Sequence, residues 1–347
     1  MNYKSIFNLL GILLGLFSLS FIPPLVLTFV YSESGREIFL YSFIFLFFLG
    51  GTLWVSTRQK NLPLNISDGF IITTMFWVVL ACAGSIPFYF FGLSIGDSIF
   101  ESVSGITTTG ATTIIGLDTL PKSILLYRQL LQWIGGMGLI ILAVAVMPAL
   151  GIGGGQLYKM ELPGSHGNQK LTPKITDSAK ALWKIYVGLT VLCATLYLIS
   201  GMSLFDSIAH SLSTVAGGGF STHDDSIGFF DSGLIETVCI VFMLLSAASF
   251  AVHYAAIFGG KPLKYFYDSE FRFFLSVIIL IIMISLLVHI ISNSYADIFS
   301  AIKSTIFHTV SIVTTSGFTT ENFSLWPGFL PYLLLVGAFM GACSQSV

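Results

Sequence analysis

Eight uncharged stretches divide the chain: residues 5–32, 38–57, 69–96, 129–158, 185–205, 237–260, 273–296 and 322–347. Each is long enough to cross roughly 30 Å of hydrocarbon as a helix of about 20 residues, so the pattern predicts membrane spans. Three shorter amphipathic runs, 97–107, 205–215 and 296–313, lie between spans, and each ends in a Ser/Thr/Gly cluster. Too short to span, they are expected to enter the membrane as half-helices and to return as extended backbone, which at that depth must line water or ions.

Aligned on Gly110, Gly219 and Gly317, the clusters read Ser104-Gly-Ile-Thr-Thr-Thr-Gly-Ala-Thr112, Ser213-Thr-Val-Ala-Gly-Gly-Gly-Phe-Ser221 and Ser311-Ile-Val-Thr-Thr-Ser-Gly-Phe-Thr319. A serine stands six residues before each glycine. Nine residues before it stand Glu101, His210 and His308, a matching position that points to anchoring of the half-helix by hydrogen bonds. The glycines are 109 and 98 residues apart, room for a whole span, half-helix and span in each period.

The composition agrees with the pattern. Only 9% of the 347 residues are charged and 54% are hydrophobic, which excludes an ordinary soluble domain. With the N-terminus inside, eleven of the fifteen Lys and Arg residues fall on the cytoplasmic side, as the positive-inside rule requires. The outer side holds Arg36, Lys122, Arg128 and Lys303 against twelve acids, a net charge of −8 that would concentrate cations at an entrance. Arg128 and Lys303 are expected to snorkel or to pair with outer acids.

The first span is too long for a signal peptide and stays as a helix. The four cysteines have no disulfide or metal spacing and read as packing residues. Gly151 to Gly155 lacks the preceding strand and following Lys-Ser/Thr of a phosphate loop, and Gly135, Gly136 and Gly138 read as close-packing glycines. No nucleophile and base occur together, so an enzyme is not expected, and nothing points to nucleic acid.

The clusters suit a monovalent cation. Backbone carbonyls supply oxygen ligands without formal charge, glycine permits the dihedrals, and the half-helices aim their partly negative C-terminal ends at the same place. No carboxylate ring or arginine stands in the clusters, which argues against a calcium filter and an anion pore. An alternating-access symporter would instead show inverted repeats and acids at span centres; here the repeats run parallel.

The runs from Thr107 to Thr112, Phe220-Ser-Thr-His-Asp224 and Thr314-Thr-Ser-Gly-Phe-Thr319 resemble the filter loops of the Trk/Ktr/HKT superfamily of potassium transporters. Tyr127-Arg-Gln-Leu-Leu-Gln-Trp-Ile-Gly-Gly-Met-Gly138, Gly151-Ile-Gly-Gly, Leu171-Thr-Pro and Ala179-Lys-Ala-Leu-Trp183 resemble its bacterial TrkH branch. The resemblance implies an all-α polytopic membrane protein in which helix, pore half-helix, helix units with pseudo-symmetry follow an N-terminal two-helix hairpin. It also implies potassium uptake across the bacterial inner membrane and a homodimer in lipid. A TrkA-like nucleotide-binding cytoplasmic subunit would regulate it. By the same resemblance potassium would be the substrate, with no covalent cofactor and no other metal. The implied filter residues are Thr108, Thr109 and Gly110, Gly218 and Gly219, and Thr315, Ser316 and Gly317. Gly217 departs from the β-branched residue common there, and an extra glycine is expected to loosen that part of the filter.

On this reading the chain divides into a hairpin at 1–62, a first pore repeat at 63–158, a basic cytoplasmic docking loop at 159–183, a second repeat at 184–260 and a third at 261–347. The family's gate loop corresponds to Gly341, Cys343, Ser344 and Gln345, with Gln345 and Val347 replacing glycine and threonine. Three of four expected repeats are present, so roughly 120 to 140 further residues are expected by the same spacing. The chain then reads as a fragment, or as an inactive or partner-dependent remnant.

Overall fold

The structure, a computed structural model, describes residues 3–58, 66–138, 175–260 and 263–340. The described residues are helical, with no strand among them. Five stretches are long and apolar enough to cross a membrane: Tyr3–Val30, Arg36–Thr57, Asp68–Phe91, Lys180–Ile199 and Ser269–Ile291. The chain forms two compact units, residues 1–107 with 111–180, and 108–110 with 181–347.

In the first unit, α1 (Tyr3–Ser18) continues through a 3-10 turn into α2 (Ile22–Val30), and α3 (Arg36–Thr57) returns beside α1. Then come α4 (Ile66–Gly84), α5 (Ile86–Phe91), the half-helix α6 (Ile95–Ile106) and α7 (Lys122–Gly136). Tyr127 on α7 is the hub of the core. Its ring lies 5.2–5.7 Å from those of Phe21, Phe39 and Phe88, and its hydroxyl donates to Gly84 O at 2.7 Å. Glu33 accepts from the amides of Lys122 (2.7 Å) and Ser123 (3.1 Å), satisfying two otherwise unpaired donors at the start of α7. A Cβ on Gly135 would overlap the carbonyl of Ile106, so this glycine lets α7 touch the end of α6. The span expected over 129–158 is described only as far as residue 138.

In the second unit, α8 (Ile175–Ile199, which belongs to this unit from residue 181 on) leads to the half-helix α9 (Leu204–Ala216), followed by α10 (Gly233–Ser246) and α11 (Phe250–Ile257). Next come α12 (Ser269–Ile291), the half-helix α13 (Ile298–Val313) and α14 (Leu330–Met340). The continuous span expected over 237–260 is corrected: the helix breaks at residues 247–249 and restarts where Ser249 Oγ accepts from the Val252 amide at 3.3 Å. A serine that caps a new helix start competes with continuation of the old one. Cys193 and Cys239 are buried packing residues, whereas Cys82 is exposed.

Candidate ion-conducting site

The three half-helices have 12, 13 and 16 residues, about 18 to 24 Å at 1.5 Å per residue, less than a bilayer core. Each begins with a reciprocal serine and aspartate cap. Ser94 Oγ accepts from the Asp97 amide and donates to its carboxylate at 2.6 Å, and Ser203 does the same with Asp206 at 2.7 Å. Asp297 caps the Ser300 amide at 2.8 Å with the roles reversed. The acids sit at the positive end of each helix dipole, so the negative end that faces the glycine cluster is left for another partner.

How the half-helices end explains the clusters. In α9 the Gly218 amide donates to Ser213 O (3.0 Å) and the Gly217 amide to Thr214 O (3.1 Å); in α13 the Ser316 amide donates to Ser311 O (2.9 Å) and the Thr315 amide to Ile312 O (3.0 Å). This pair of bonds is a Schellman end, and it requires a left-handed residue two places before the key glycine. That residue is Gly217 at φ +68° and Thr315 at φ +59°, and Thr108 shares the conformation at φ +55°. The key glycines are left-handed as well, at φ +76°, +75° and +80° for Gly110, Gly219 and Gly317. A β-branched residue in this region is strained by about 1–3 kcal/mol, a cost that glycine escapes.

The returning backbone is tied to its half-helix from two positions. The serine six before the glycine donates to the carbonyl just after it, from Ser104 Oγ to Ala111 O and from Ser311 Oγ to Phe318 O, both at 2.6 Å. The residue nine before the glycine bonds two or three places beyond it. Glu101 accepts from the Thr112 hydroxyl and from the Thr113 amide at 2.7 Å. His210 Nε2 lies 2.9 Å from Ser221 Oγ, and His308 Nε2 accepts from the Thr320 amide at 3.3 Å. Asp206 adds a bond from Thr222 Oγ1 at 2.8 Å. Burial alone would push the Asp206 carboxyl up, but the His223 imidazole 3.5 Å away and hydrogen bonds from Ser203 and Thr222 outweigh it and hold the group well below the usual carboxylate range.

Within the second unit two of the clusters touch. A Cβ on Gly219 would overlap the Ser316 carbonyl, whereas Gly317 has nothing within 4 Å of the same position. The Gly228 amide donates to Thr319 O at 3.1 Å, and the Thr319 amide donates to Ser226 Oγ at 3.2 Å. Glycine at 219 is therefore demanded twice, by its backbone angle and by the neighbouring chain.

Of the outer cations, Arg128 is buried and pairs with Glu101 at 3.2 Å, also donating to Thr112 Oγ1 at 2.9 Å. Lys303 pairs with Glu236 at 2.8 Å. Gly341, Cys343, Ser344 and Gln345, the expected gate residues, and the docking loop up to residue 174 lie outside the described residues. No cluster of metal-ligating side chains occurs among the described residues.

Long apolar spans and capped half-helices that end in left-handed glycine loops define a multi-pass membrane transport protein. Residues 35–347 match the TrkH family of cation transport proteins. The chain is 47% identical to a Trk system potassium uptake protein TrkH of Vibrio parahaemolyticus and 44% identical to one of Escherichia coli K12, covering 100% of this chain and 72% of each relative. It also matches the crystal structure of the potassium transporter TrkH from Vibrio parahaemolyticus with a TM-score of 0.88 at 45% identity, over 100% of this chain and 72% of that one. The chain belongs to the TrkH family, a family of transporters and not of enzymes.

Proposed function

We propose that this chain is the pore-forming part of a Trk-type potassium uptake system in a bacterial inner membrane, with its N-terminus in the cytoplasm. Potassium would shed its water onto backbone carbonyls of Thr108, Thr109 and Gly110, Gly218 and Gly219, and Thr315, Ser316 and Gly317. The observation that carries this reading is the recurring loop: a left-handed residue, one intervening residue, then a left-handed glycine, held by the serine six before it or the anchor nine before it. Such a loop holds its carbonyls in place before the ion arrives, so little reorganisation accompanies coordination. The acids at the N-terminal end of each half-helix, Asp97 and Asp206 in the first turn and Asp297 at the N-cap, leave the opposite, partly negative end to the cation.

Potassium as the transported ion is supported by the names of the relatives, all potassium uptake proteins. The same proposal includes the division into a hairpin and pore repeats at 63–158, 184–260 and 261–347, a homodimer and a nucleotide-binding cytoplasmic regulator. Proteoliposomes containing the purified protein, loaded with potassium or with sodium, test the proposal by ion efflux. Flux that favours potassium supports it; flux equal for both ions, or none, contradicts it.

A further inference from the structure

Between α1 and α3 runs a groove of about 900 Å³, lined by residues that include Gly11, Gly15, Leu16, Phe47, Gly51 and Trp54. Four glycines shape it in two ways. At Gly11 and Gly50 the helices cross closely: a Cβ on Gly11 would lie 2.7 Å from Trp54 N, and one on Gly50 would lie 2.6 Å from Gly15 N. At Gly15 and Gly51 nothing lies within 4 Å of a Cβ, so there the missing side chains are open volume. The volume falls in the range of ligand pockets, about 300–1,000 Å³.

The groove lining itself is uncharged, but two cations stand beyond its Trp54 end. Along α1, Lys4, Asn8, Gly11 and Gly15 follow the spacing of a single helix face, along α3 so do Phe47, Gly51 and Trp54, and Arg58 follows directly after the end of α3. Asn8 Nδ2 donates to Trp54 O at 3.0 Å, which ties the two faces together just below their cations. The Arg58 guanidinium lies over the Trp54 ring at 5.5 Å, and both Lys4 and Arg58 are exposed. The other, apolar end carries Leu16, Leu19, Phe47 and Phe48, all exposed. An apolar trough at hydrocarbon depth that ends at an aromatic ring and two cations matches one kind of occupant.

We propose that this groove binds an anionic phospholipid, with an acyl chain over Gly15 and Gly51 and the headgroup phosphate between Lys4 and Arg58. Native mass spectrometry of the purified chain with phosphatidylglycerol or phosphatidylcholine of identical acyl chains tests this. Wild type is compared with the doubly filled variant Gly15→Leu/Gly51→Leu and with Lys4→Gln/Arg58→Gln. The expected result is retention of phosphatidylglycerol over phosphatidylcholine by wild type, loss of it in the filled variant, and a loss of about fivefold for each cation removed. Equal retention of the two lipids by wild type overturns the proposal, as does unchanged retention in the filled variant. A filled variant that turns a dimer into a monomer, with no lipid preference in wild type, assigns the face to a second copy and also overturns it. Should the filled variant not fold, the charge variant decides alone: undiminished phosphatidylglycerol retention there contradicts the proposal.

Discussion

Arg128 Nε lies 3.2 Å from Glu101 Oε2, and both side chains are buried, at 1% and 0% exposure. The carboxylate of this pair also holds Thr112 and Thr113, so the ion pair reaches the backbone that follows Gly110. Removing one partner leaves the other charge buried and alone. Arg128→Gln is expected to destabilise the protein by about 3–5 kcal/mol, while Arg128→Gln/Glu101→Gln loses less than the sum of the single changes. Thermal unfolding in detergent, run as a double-mutant cycle, measures this; additive losses would contradict it.

Ser311 has a second, separable job. Its hydroxyl fixes the Phe318 carbonyl directly after Gly317, and Ser311→Ala leaves that carbonyl without the bond. The expected cost is about 1–3 kcal/mol, with a drop in potassium preference, because the loop holds its shape less tightly. Comparison of ion selectivity in Ser311→Ala and Ser311→Thr checks it, the threonine variant keeping the donor.

Gly217 is expected to tighten its loop end, contrary to the loosening that its departure from a β-branched residue implies. The Schellman end demands a left-handed residue there, and glycine meets that demand without strain. Gly217→Thr should cost about 1 kcal/mol or more, while Thr315→Gly should be near neutral, relief of strain being offset by the freer unfolded chain. Chemical denaturation of the two variants decides between the readings.

Asp206 makes stability depend on pH. Its carboxyl is held below the usual range when folded, so its contribution is complete above the ordinary carboxylate pKa of about 4 and is lost as pH falls toward the lower folded value. Wild type should lose thermal stability on acidification more steeply than Asp206→Asn. Parallel slopes would contradict the assignment.

The half-helices were legible in the sequence because their polar starts and glycine ends interrupt uncharged stretches, and the anchoring of Glu101, His210 and His308 because one spacing recurs three times. The left-handed position before each key glycine was hidden: threonine occupies it twice, and the single glycine that signals it reads as an exception. The break between α10 and α11 was hidden too, since Ala247 and Ala248 keep the hydropathy high and only Ser249 marks the new start. The partner of Arg128 was visible only as some outer acid, because pairing across 27 residues is a property of the fold.

Conduction of potassium by the glycine loops is measured most directly as the ratio of potassium to sodium flux in proteoliposomes for wild type, Gly219→Ala and Gly188→Ala. Gly188, exposed on α8, has open space around it, whereas a Cβ on Gly219 overlaps the Ser316 carbonyl. Wild type and Gly188→Ala are expected to prefer potassium, and a folded Gly219→Ala to lose that preference. An unchanged preference in Gly219→Ala, or no preference in wild type, would contradict it.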